Sequence, residues 1–561
     1  MKTKLLLTLF LITTLSISAQ YTFNQIDIWS GTNGSSPRYI TQFDNQLYFQ
    51  AFEITPSFKK LYKSDGTDAG TNVIATNLNS GAGYSPESLT PFKGELFFTA
   101  FVSGLGIELY KTDGTDAGTV LIKDVRAGGS NGLDQNTNND KEVFVEFNNE
   151  LYFRGSTNSS IELWKTDGTN GGTVSVKNFE EAIVGAPEYI STSDKSILGV
   201  VYNNELFFSV SRGTGIRELW KTDGTTAGTV KVRGGLNGIS ELIVFNNLLY
   251  FKSGAEGDGF GAEVWVSDGT TSGTVLKFDL FPNSGFNTTG SDPSDLFIFN
   301  NQLYFSASTV VNNKNTGREL WKTDGVTASL VKNINTTVSG SNIERAGLRF
   351  AKFKVYQNEL YFIAKDGVND EYDLWKTDGT EAGTIKVVSA NDAGESFEFS
   401  KAIEYNGKLF YFNSQQLWVT DATSSGTTQL TSNNDEILLI STSSLELFKE
   451  KLWFAGTKTG NGEELTSLSD NALSIDDSLI MPNDISIYPN PANNWVHIKL
   501  AQNQKLQKIV IYNVLGEKVL EKHPTNFSEA SIHLSSLEKG VYMLKVKINN
   551  KIITKKMIVR E

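Results

Sequence analysis

Short apolar runs alternate with turn signals along most of the chain. In residues 196–232, two apolar runs flank Asn203-Asn204, and two further runs flank Asp223-Gly224. Such pairs favour tight β-turns, because Asn and Gly tolerate positive φ. No stretch of this unit shows a helical period. The pattern predicts four short antiparallel strands, which we label a to d in chain order.

This four-strand unit repeats. The Asp of the c–d turn recurs at intervals of 43 to 56 residues, at Asp65, Asp113, Asp167, Asp223, Asp268, Asp324, Asp378 and Asp421. Repeats of this length are typical of solenoids, propellers and arrays, and four strands in roughly 40–50 residues match a propeller blade. The aromatic residue before the a–b turn occurs nine times, at Phe43, Phe92, Phe147, Tyr202, Phe245, Phe299, Tyr356, Tyr405 and Phe448.

Ring closure is predicted from the two ends of the repeat region. The ninth unit, residues 438–468, has strands a to c but lacks the Asp-Gly-Thr turn and strand d. Residues 23–29 resemble the strand-d exits of other units and can supply the missing strand, which hides the edges of an open ring. We therefore predict an all-β fold: a large β-propeller of nine four-stranded blades, with eight as the alternative, followed by a small Ig-like β-sandwich.

The repeated residues have structural explanations. Tyr62 and Tyr110 occupy the aromatic position of strand c in units 1 and 2, and six of the nine tryptophans occupy it later, namely Trp164, Trp220, Trp265, Trp321, Trp375 and Trp418. These aromatics are expected to pack between blades. The turn Asp is expected to accept backbone hydrogen bonds. The alternative is that each turn holds Ca²⁺, although one carboxylate per loop is few for that ion.

An acidic residue also recurs just before the Leu-Trp pair. It is expected to serve hydrogen bonding between blades, since it is too uniform for a single active site; its copies are Glu108, Glu162, Glu218, Glu263, Glu319 and Asp373. The whole motif, over about residues 61–430, resembles the ELWxxDGT repeats of hyalin-like bacterial proteins. That resemblance implies no chemistry. Val326 replaces Thr in unit 6 and Ala422 replaces Gly in unit 8, so these two turns depart from the pattern.

The first 19 residues are typical of a secretory signal peptide. Lys2 and Lys4 precede an apolar run from 5 to 17, and Ser18-Ala19 forms the cleavage site. The run is too short to span a bilayer as a helix, and no later segment is as hydrophobic, so no transmembrane segment is expected in the mature protein. The chain has no cysteine, which excludes disulfides and thiolate metal sites.

A propeller at 20–468 and a linker at 469–481 are predicted to precede a second domain at 482–561. Seven short alternating strands in this last part indicate a β-sandwich. It resembles the type A sorting domain of type IX secretion substrates in Bacteroidetes. The residues that carry the resemblance are Tyr488, Pro489, Asn490 and Pro491, the segment 511–516 ending at Gly516, the segment 537–542 with Gly540 and Tyr542, and a basic end with Lys555, Lys556 and Arg560. The resemblance implies export across both membranes with the type IX machinery as partner, and removal of the domain near the linker. It also implies release or attachment at the cell surface.

Charge separates these two parts of the chain. Residues 482–561 contain 12 Lys and Arg and 6 Asp and Glu. The rest of the chain, without Lys2 and Lys4, contains 36 Lys and Arg and 57 Asp and Glu. An acidic ring is poorly suited to nucleic acid or anionic lipid. All three histidines, His497, His523 and His533, lie in the C-terminal part, so the repeat region has no Ser-His-Asp site and no His-ligated metal.

The preferred functional hypothesis is a non-catalytic surface or secreted propeller that binds a glycan or a protein, in adhesion or substrate capture. The binding face would be formed by the variable b–c loops, of which 308–318 is one, and the d–a connections, opposite the constant turns. One alternative is a carboxylate-dependent glycan-active enzyme, with Glu256, Asp258, Asp370 and Glu371 as candidate acids. The other is a structural envelope component. No catalytic residue is assigned, and calcium is the one cofactor considered.

Overall fold

The computed structural model describes residues 21–52, 59–74, 86–133, 143–157, 160–179, 189–190, 199–211, 216–255, 261–281, 290–311, 314–335, 353–366, 373–388, 397–413, 416–430, 437–440, 445–458, 460–470, 485–500, 506–513, 518–524, 529–548 and 551–560. The predicted signal peptide, nearly all of the predicted linker, Gly516 and the four candidate acids Glu256, Asp258, Asp370 and Glu371 lie outside these ranges. Contacts divide the chain into two compact regions, 1–469 and 470–561.

The regular secondary structure of the described N-terminal residues consists of strands joined by turns. In chain order these are β1 (Tyr21–Ile26), β2 (Arg38–Phe43), β3 (Gln46–Phe52), β4 (Lys59–Ser64), β5 (Asn72–Ile74), β6 (Glu87–Phe92), β7 (Glu95–Val102), β8 (Gly106–Thr112), β9 (Val120–Lys123), β10 (Val145–Phe147), β11 (Glu150–Thr157), β12 (Ser160–Thr166), β13 (Val174–Asn178), β14 (Tyr189–Ile190), β15 (Val200–Tyr202), β16 (Glu205–Ser211), β17 (Ile216–Thr222), β18 (Val230–Phe245), β19 (Leu248–Ala255), β20 (Glu263–Ser267), β21 (Val275–Phe278), β22 (Ser294–Phe299), β23 (Gln302–Val311), β24 (Lys314–Thr323), β25 (Ala328–Lys332), β26 (Lys354–Tyr356), β27 (Glu359–Ala364), β28 (Asp373–Thr377), β29 (Ile385–Val388), β30 (Phe397–Tyr405), β31 (Lys408–Asn413), β32 (Gln416–Thr420), β33 (Thr428–Gln429), β34 (Ile437–Ile440), β35 (Glu446–Phe448), β36 (Lys451–Lys458) and β37 (Gly462–Asp470).

These strands pair as antiparallel sheets in sequence order. Units 1, 2, 3, 6, 7 and 8 each form a four-stranded sheet, namely β2–β5, β6–β9, β10–β13, β22–β25, β26–β29 and β30–β33. In units 4 and 5, the 16-residue strand β18 is the last strand of one sheet and the first of the next, because its first half pairs with β17 and its second half with β19. The fold is all-β, with many four-stranded antiparallel sheets consistent with propeller blades.

The a–b turns have the backbone that their sequences require. Asn203 and Asn204 both adopt positive φ, at 50° and 59°, and Asn148 and Asn149 do the same at 51° and 60°. Two consecutive residues with positive φ give the tight hairpin that matches the twist of antiparallel strands. These turns set the a–b register, so Tyr202 pairs with Glu205 and Phe147 with Glu150.

The core lies between the faces of successive sheets. One cluster, for example, joins Tyr48 and Leu61 of unit 1 to Phe98 and Tyr110 of unit 2, all of them buried. Corresponding clusters join each described unit to the next along the chain. Because every sheet buries apolar side chains on both faces, neither face can be left without a neighbour.

The first and last units share a core as well. Strand β1 pairs with β37 and completes the sheet of unit 9. Ile26 on β1 then lies in one cluster with Phe49 of unit 1 and Trp453 of unit 9. Arg38 at the start of β2 also makes an ion pair with Glu463 on β37, at 3.0 Å.

The structure corrects one loop expectation. A variable b–c loop was expected at 308–318, but β23 continues to Val311 and β24 begins at Lys314, with pairing from Ser308–Arg318 outward to Val311–Lys314. The b–c connection of unit 6 is therefore an extended hairpin. Thr309, Val310 and Val311 are β-branched and favour strand, which explains the extension.

The C-terminal region contains β38 (Ile485–Tyr488), β39 (Trp495–Leu500), β40 (Leu506–Tyr512), β41 (Lys518–Lys522), β42 (Glu529–His533), β43 (Gly540–Ile548) and β44 (Lys551–Val559). They form a three-stranded sheet in the order β38-β39-β42 and a four-stranded sheet in the order β41-β40-β43-β44. Val496, Ile498 and Ile532 of the first sheet share one buried core with Ile509 and Leu544 of the second. Nowhere in the described residues of either region is there a helix long and apolar enough to cross a membrane.

Replacing Ile26 by Ala should lower the free energy of unfolding by about 2–4 kcal/mol, because a buried Ile side chain between two sheets leaves a cavity. Chemical denaturation of the full chain measures the loss. Val230→Ala is the control, since Val230 is 40% exposed, and it should change the free energy by less than about 0.5 kcal/mol. Equal effects of the two substitutions would contradict the packing of β1 between the first and last units.

Candidate functional site

Each repeat turn is held by hydrogen bonds to its Asp. In unit 2, Asp113 Oδ1 accepts a bond from the backbone N–H of Thr115 at 2.9 Å and from the Thr115 hydroxyl at 2.7 Å. Thr115 Oγ1 in turn accepts the N–H of Gly118, and the Thr119 hydroxyl donates to the Thr115 carbonyl. The same Asp–Thr pair of bonds is made by Asp65, Asp167, Asp223, Asp268, Asp378 and Asp421.

These bonds also stabilise the charge on the Asp. The Thr115 hydroxyl and N–H hold the pKa of Asp113 below its usual value. The other seven turn aspartates have lowered pKa values for the same kind of reason. The carboxylates are therefore ionised at neutral pH, and one oxygen of each is already an acceptor.

The two turns that depart from the pattern keep this acceptor role. In unit 6, Asp324 Oδ1 accepts the N–H groups of Val326 and Thr327 at 2.8 and 3.0 Å, so backbone donors replace the missing Thr hydroxyl. In unit 8, Ala422 adopts the positive φ of 77° that Gly has elsewhere, and Asp421 still bonds to Thr423.

The first glycine of the turn lets it contact the preceding unit. A Cβ on Gly114, whose φ is +91°, would lie 2.3 Å from the Tyr48 hydroxyl oxygen of unit 1. Lys63 of unit 1 also donates from Nζ to the Gly114 carbonyl at 2.7 Å. Unit 7 repeats the arrangement, with Lys322 of unit 6 donating to Gly379 at 2.9 Å. The repeat turn is thus part of the contact between neighbouring units.

The aromatic of strand c faces the preceding unit. Trp164 of unit 3 lies in the cluster that contains Phe97 and Ile107 of unit 2, and Tyr110 of unit 2 lies with Leu61 of unit 1. The same holds for Tyr62, Trp265 and Trp375, which are buried, and for Trp220, Trp321 and Trp418, which are partly buried and pack against their clusters.

The repeated acid of strand c is buried and bonds to the chain that leaves strand d. Glu319, with no exposed surface, accepts the N–H groups of Ile334 and Asn335 at 2.8 and 3.2 Å. Glu263 accepts the N–H groups of Leu280 and Ser291 at 3.1 and 2.7 Å. These donors belong to the connection that runs from the acid's own unit to the next, and Ser291 also accepts the N–H of Ser308 in unit 6. The acids accept hydrogen bonds from backbone N–H groups that lie beyond the end of strand d, where no neighbouring strand pairs with them.

Burial decides the protonation of these acids. It raises the pKa of Glu319 to about 8 and that of Glu263 to about 7, and in both cases it outweighs the backbone hydrogen bonds, which act in the opposite direction. Glu218 of unit 4 and Asp373 of unit 7 instead make ion pairs with Lys231 and Lys386, at 2.9 and 2.7 Å.

Sequence reasoning missed one member of this set. Glu464 of unit 9 accepts the N–H groups of Ile28, Trp29 and Ser35, which follow β1. It therefore holds the N-terminal strand as the other acids hold their own connections. The signal was present, because Glu464-Leu465 has the spacing of Glu-Leu in the Glu-Leu-Trp motif. Thr466 in place of Trp concealed it.

The sorting-domain motif residues meet at one end of the C-terminal region. Asn490 donates its amide to the Lys556 carbonyl at 2.8 Å and accepts the Ile558 N–H at 2.9 Å. Tyr542 donates its hydroxyl to the Glu538 carbonyl at 2.7 Å. The peptide bonds Tyr488-Pro489 and Asn490-Pro491 are cis.

The C-terminal region also contains a cavity of about 410 Å³, which is lined in part by Asn493, Leu537, Lys539 and Arg560. Lys555 lies on β44, opposite Leu544, and Gly540 begins β43.

The described residues contain no group of three or more His, Cys, Asp or Glu arranged to hold a metal ion. The chemistry that this part of the chain shows is therefore that of hydrogen-bonded turns, buried acids and apolar packing. The loops that would carry Glu256, Asp258, Asp370 and Glu371 lie outside it.

Residues 486–560 match the family model of the secretion system C-terminal sorting domain. No curated protein matches the chain. Among solved structures, the chain is similar to PorZ, a surface component of the type IX secretion system of Porphyromonas gingivalis. The sequence identity is 11%, the alignment covers 94% of this chain and 87% of PorZ, and the TM-score is 0.22. It is also similar to the extracellular domain of the putative one-component system BT4673 from B. thetaiotaomicron, with 11% identity, 94% and 87% coverage and a TM-score of 0.24. A third is oligopeptidase B from Leishmania major, with 11% identity, 70% and 54% coverage and a TM-score of 0.36.

The family match defines a class: an exported all-β protein that carries a type IX secretion sorting domain at its C-terminal end. The sorting domain implies interaction with the type IX machinery and delivery to the cell surface or the extracellular space. Both were expected from the motif residues between Tyr488 and Arg560.

The two adjacent glycines of the unit 3 turn should respond differently to Ala. A Cβ on Gly172 would lie 2.1 Å from Asp167 Oδ1, whereas a Cβ on Gly171 would meet nothing within 4 Å. Gly172→Ala should therefore cost about 1–3 kcal/mol in the free energy of unfolding. Gly171→Ala should be neutral or stabilising by about 0.4–1 kcal/mol, through the unfolded state. Urea denaturation of both variants measures the difference, and similar values would refute the proposed turn geometry.

Glu319 should make stability fall as pH rises. Its pKa is about 8 when folded, against a reference value of 4.5, so the folded state binds more protons than the unfolded state between these values. The free energy of unfolding therefore decreases as pH rises through this window. Glu319→Gln removes this titration, so the melting temperature of the wild type should fall relative to that of the variant from pH 5 to pH 8. Glu146→Gln, which removes an exposed carboxylate, is the control for loss of a charge at the surface. A melting-temperature difference for Glu319→Gln that stays constant with pH would count against the raised pKa.

Proposed function

We propose that the mature chain is an exported propeller of nine blades that binds a glycan or a protein and catalyses no reaction on it. The proposed boundaries are a signal peptide at 1–19, the propeller at 20–468, a linker at 469–481 and an Ig-like sorting domain at 482–561. The sorting domain would be removed near the linker. The propeller would then be released or attached at the cell surface.

Support for nine blades comes from the shared cores. Each unit from 1 to 8 shares an apolar cluster with the next, and a further cluster joins unit 9 to unit 1 through Ile26, Phe49 and Trp453. Strand β1 supplies the strand that the ninth unit lacks. A stray ninth unit outside an eight-bladed ring would leave those apolar faces in water, which opposes the eight-blade alternative.

The observation that carries the functional proposal is that the scaffold itself uses the repeated polar residues. The turn aspartates accept bonds from their own Thr residues, and the strand-c acids bind backbone N–H groups or a lysine. A residue already used in this way in each unit is poorly placed to recognise one particular ligand. The side chains left for recognition are those of the non-repeated b–c loops and d–a connections, which a rigid scaffold would present on one face.

The charge of the repeat region narrows the class of ligand. Its excess of Asp and Glu over Lys and Arg disfavours nucleic acid and anionic lipid as partners. A neutral polysaccharide or a protein surface is compatible with it. Binding of such a polymer or protein outside the cell would serve adhesion or substrate capture, which is the role that we propose for this chain.

The test is a pull-down of the full chain on a panel of insoluble polysaccharides and immobilised matrix proteins, with bound protein and released sugar assayed together. We expect saturable binding to one class and no released sugar. A Glu256→Gln/Asp258→Asn variant, altered in a b–c loop, should bind more weakly. Asp68→Asn, an exposed change in a repeat turn, should bind as the wild type does.

Two outcomes would overturn the proposal. Sugar release would assign the chain to the glycan-active enzymes and direct attention to the acids of the variable loops. Absence of saturable binding to every member of the panel would favour a structural role in the envelope.

A further inference from the structure

Two units neutralise their buried acid with a lysine from strand d. Lys231 lies directly across the sheet from Trp220, and its Nζ contacts Glu218 Oε1 at 2.9 Å. Lys386 lies across from Trp375 in unit 7 and contacts Asp373 Oδ2 at 2.7 Å. The strand-d residue opposite the motif aromatic thus decides whether the acid has a cationic partner.

Two other units use an asparagine three residues further along the chain. In unit 3, Asn178 donates its amide to Glu162 Oε1 at 3.3 Å. In unit 6, the Asn333 amide lies 3.1 Å from Glu319 Oε1, and it donates to this oxygen when its nitrogen faces the carboxylate. The corresponding position in unit 2 is Asp124, and the position corresponding to the lysine is Leu121, which lies opposite Tyr110. Unit 2 therefore presents a second acid where units 3 and 6 present an amide N–H donor.

Three oxygen atoms in unit 2 are buried without a hydrogen-bond partner: Glu108 Oε1, Tyr110 Oη and Asp124 Oδ1. Glu108 has no exposed surface and Tyr110 is 3% exposed. The other carboxylate oxygen, Glu108 Oε2, accepts the Val125 N–H at 2.7 Å. Burying polar atoms without partners is costly, so a ligand that contributes positive charge or donors would stabilise this group of three.

The register brings these three groups together. Glu108 and Tyr110 are two residues apart on β8 and share a face, and Lys123, next to Asp124, pairs with Leu109. In unit 4 the indole N–H of Trp220, at the Tyr110 position, reaches Glu218 Oε2 at 2.9 Å. The groups of unit 2 also act on one another: burial raises the pKa of Glu108 and of Tyr110, and the charge of Asp124 adds to both rises.

We propose that unit 2 binds one Ca²⁺ ion through Glu108 Oε1, Asp124 Oδ1 and Tyr110 Oη. Two carboxylates balance the charge of a divalent ion, and all three atoms are oxygens, which Ca²⁺ prefers. Ca²⁺ tolerates irregular coordination and completes it with backbone carbonyls and water. Mg²⁺ demands near-ideal octahedral geometry and so fits less well. The ion would replace the lysine or asparagine that neutralises the acid in other units.

Unit 5 provides a matched position without such a site. Asp279 there corresponds to Asp124, but it is exposed. Both oxygens of Glu263 already have donors: the Leu280 N–H at 3.1 Å and the Ser291 hydroxyl at 2.5 Å on one, and the Ser291 N–H at 2.7 Å on the other. In the turn aspartates, one carboxylate oxygen already accepts two hydrogen bonds from the turn itself. The proposed site is distinct from the eight repeat turns, and the described residues of unit 5 do not repeat it.

The test compares the full chain and its variants in EGTA and in CaCl₂. For the wild type we expect Ca²⁺ to raise the melting temperature by several degrees, Mg²⁺ to do so less, and Tb³⁺ luminescence excited through aromatic side chains to titrate with one ion per chain. Asp124→Asn installs the asparagine of units 3 and 6. It should raise the melting temperature in EGTA and abolish the Ca²⁺ effect.

Two further variants keep the proposal falsifiable. Leu121→Lys installs the lysine of units 4 and 7 and should also abolish the Ca²⁺ effect, whereas Asp279→Asn should retain it. The proposal fails if Ca²⁺ leaves the wild-type melting temperature unchanged. It fails in the same way if the melting temperature responds to pH alone, because a proton shared by Glu108 and Asp124 would then take the place of the ion. It also fails if Asp124→Asn and Leu121→Lys both keep the Ca²⁺ effect, or if about eight ions bind per chain.

Discussion

Face-to-face packing of neighbouring sheets is the interaction on which the rest of the N-terminal region depends. Apart from β18, which two sheets share, adjacent sheets are joined mainly by apolar side chains such as Tyr48 and Phe98 and by the contact of a repeat turn with the unit before it. Every sheet therefore needs a neighbour on both faces. The last sheet meets the first through Ile26 on the N-terminal strand, which gives closure the same physical basis as every other contact in the region.

The buried acids extend this arrangement to the connections between units. A chain that leaves strand d has backbone N–H groups that no sheet satisfies, and an acid from strand c accepts them. Burial of the carboxylate carries an electrostatic cost, and the units meet it in different ways. Lysines pair with Glu218 and Asp373, and an asparagine donates to Glu162. Two backbone N–H groups and the Ser291 hydroxyl donate to Glu263. Unit 2 shows none of these side-chain donors among its described residues, and for that reason it stands apart.

Much of the fold follows from local sequence patterns, although some features do not. The Asn-Asn hairpins, the Asp-Thr turns and the position of the motif aromatic are all readable from single units. The extension of β23 and β24 through residues 308–318 is not, because strand pairing there depends on a partner strand as well as on composition. Glu464 was missed for a related reason: its motif lacks the Trp, and the groups it binds lie more than 400 residues earlier in the chain.

The sequence by itself determined the repeat, the turn chemistry and the export signal, since each depends on residues within a short segment. Asp113, Thr115 and Gly118 form their turn through hydrogen bonds to one another, and the sorting motifs lie within residues 486–560, which match the family model. Only the tertiary structure decided which sheets close on each other and which acids find a donor. The reason is physical: packing and burial join side chains that are distant in the chain, and the same Glu is neutralised or left with an unsatisfied oxygen according to what strand d places beside it.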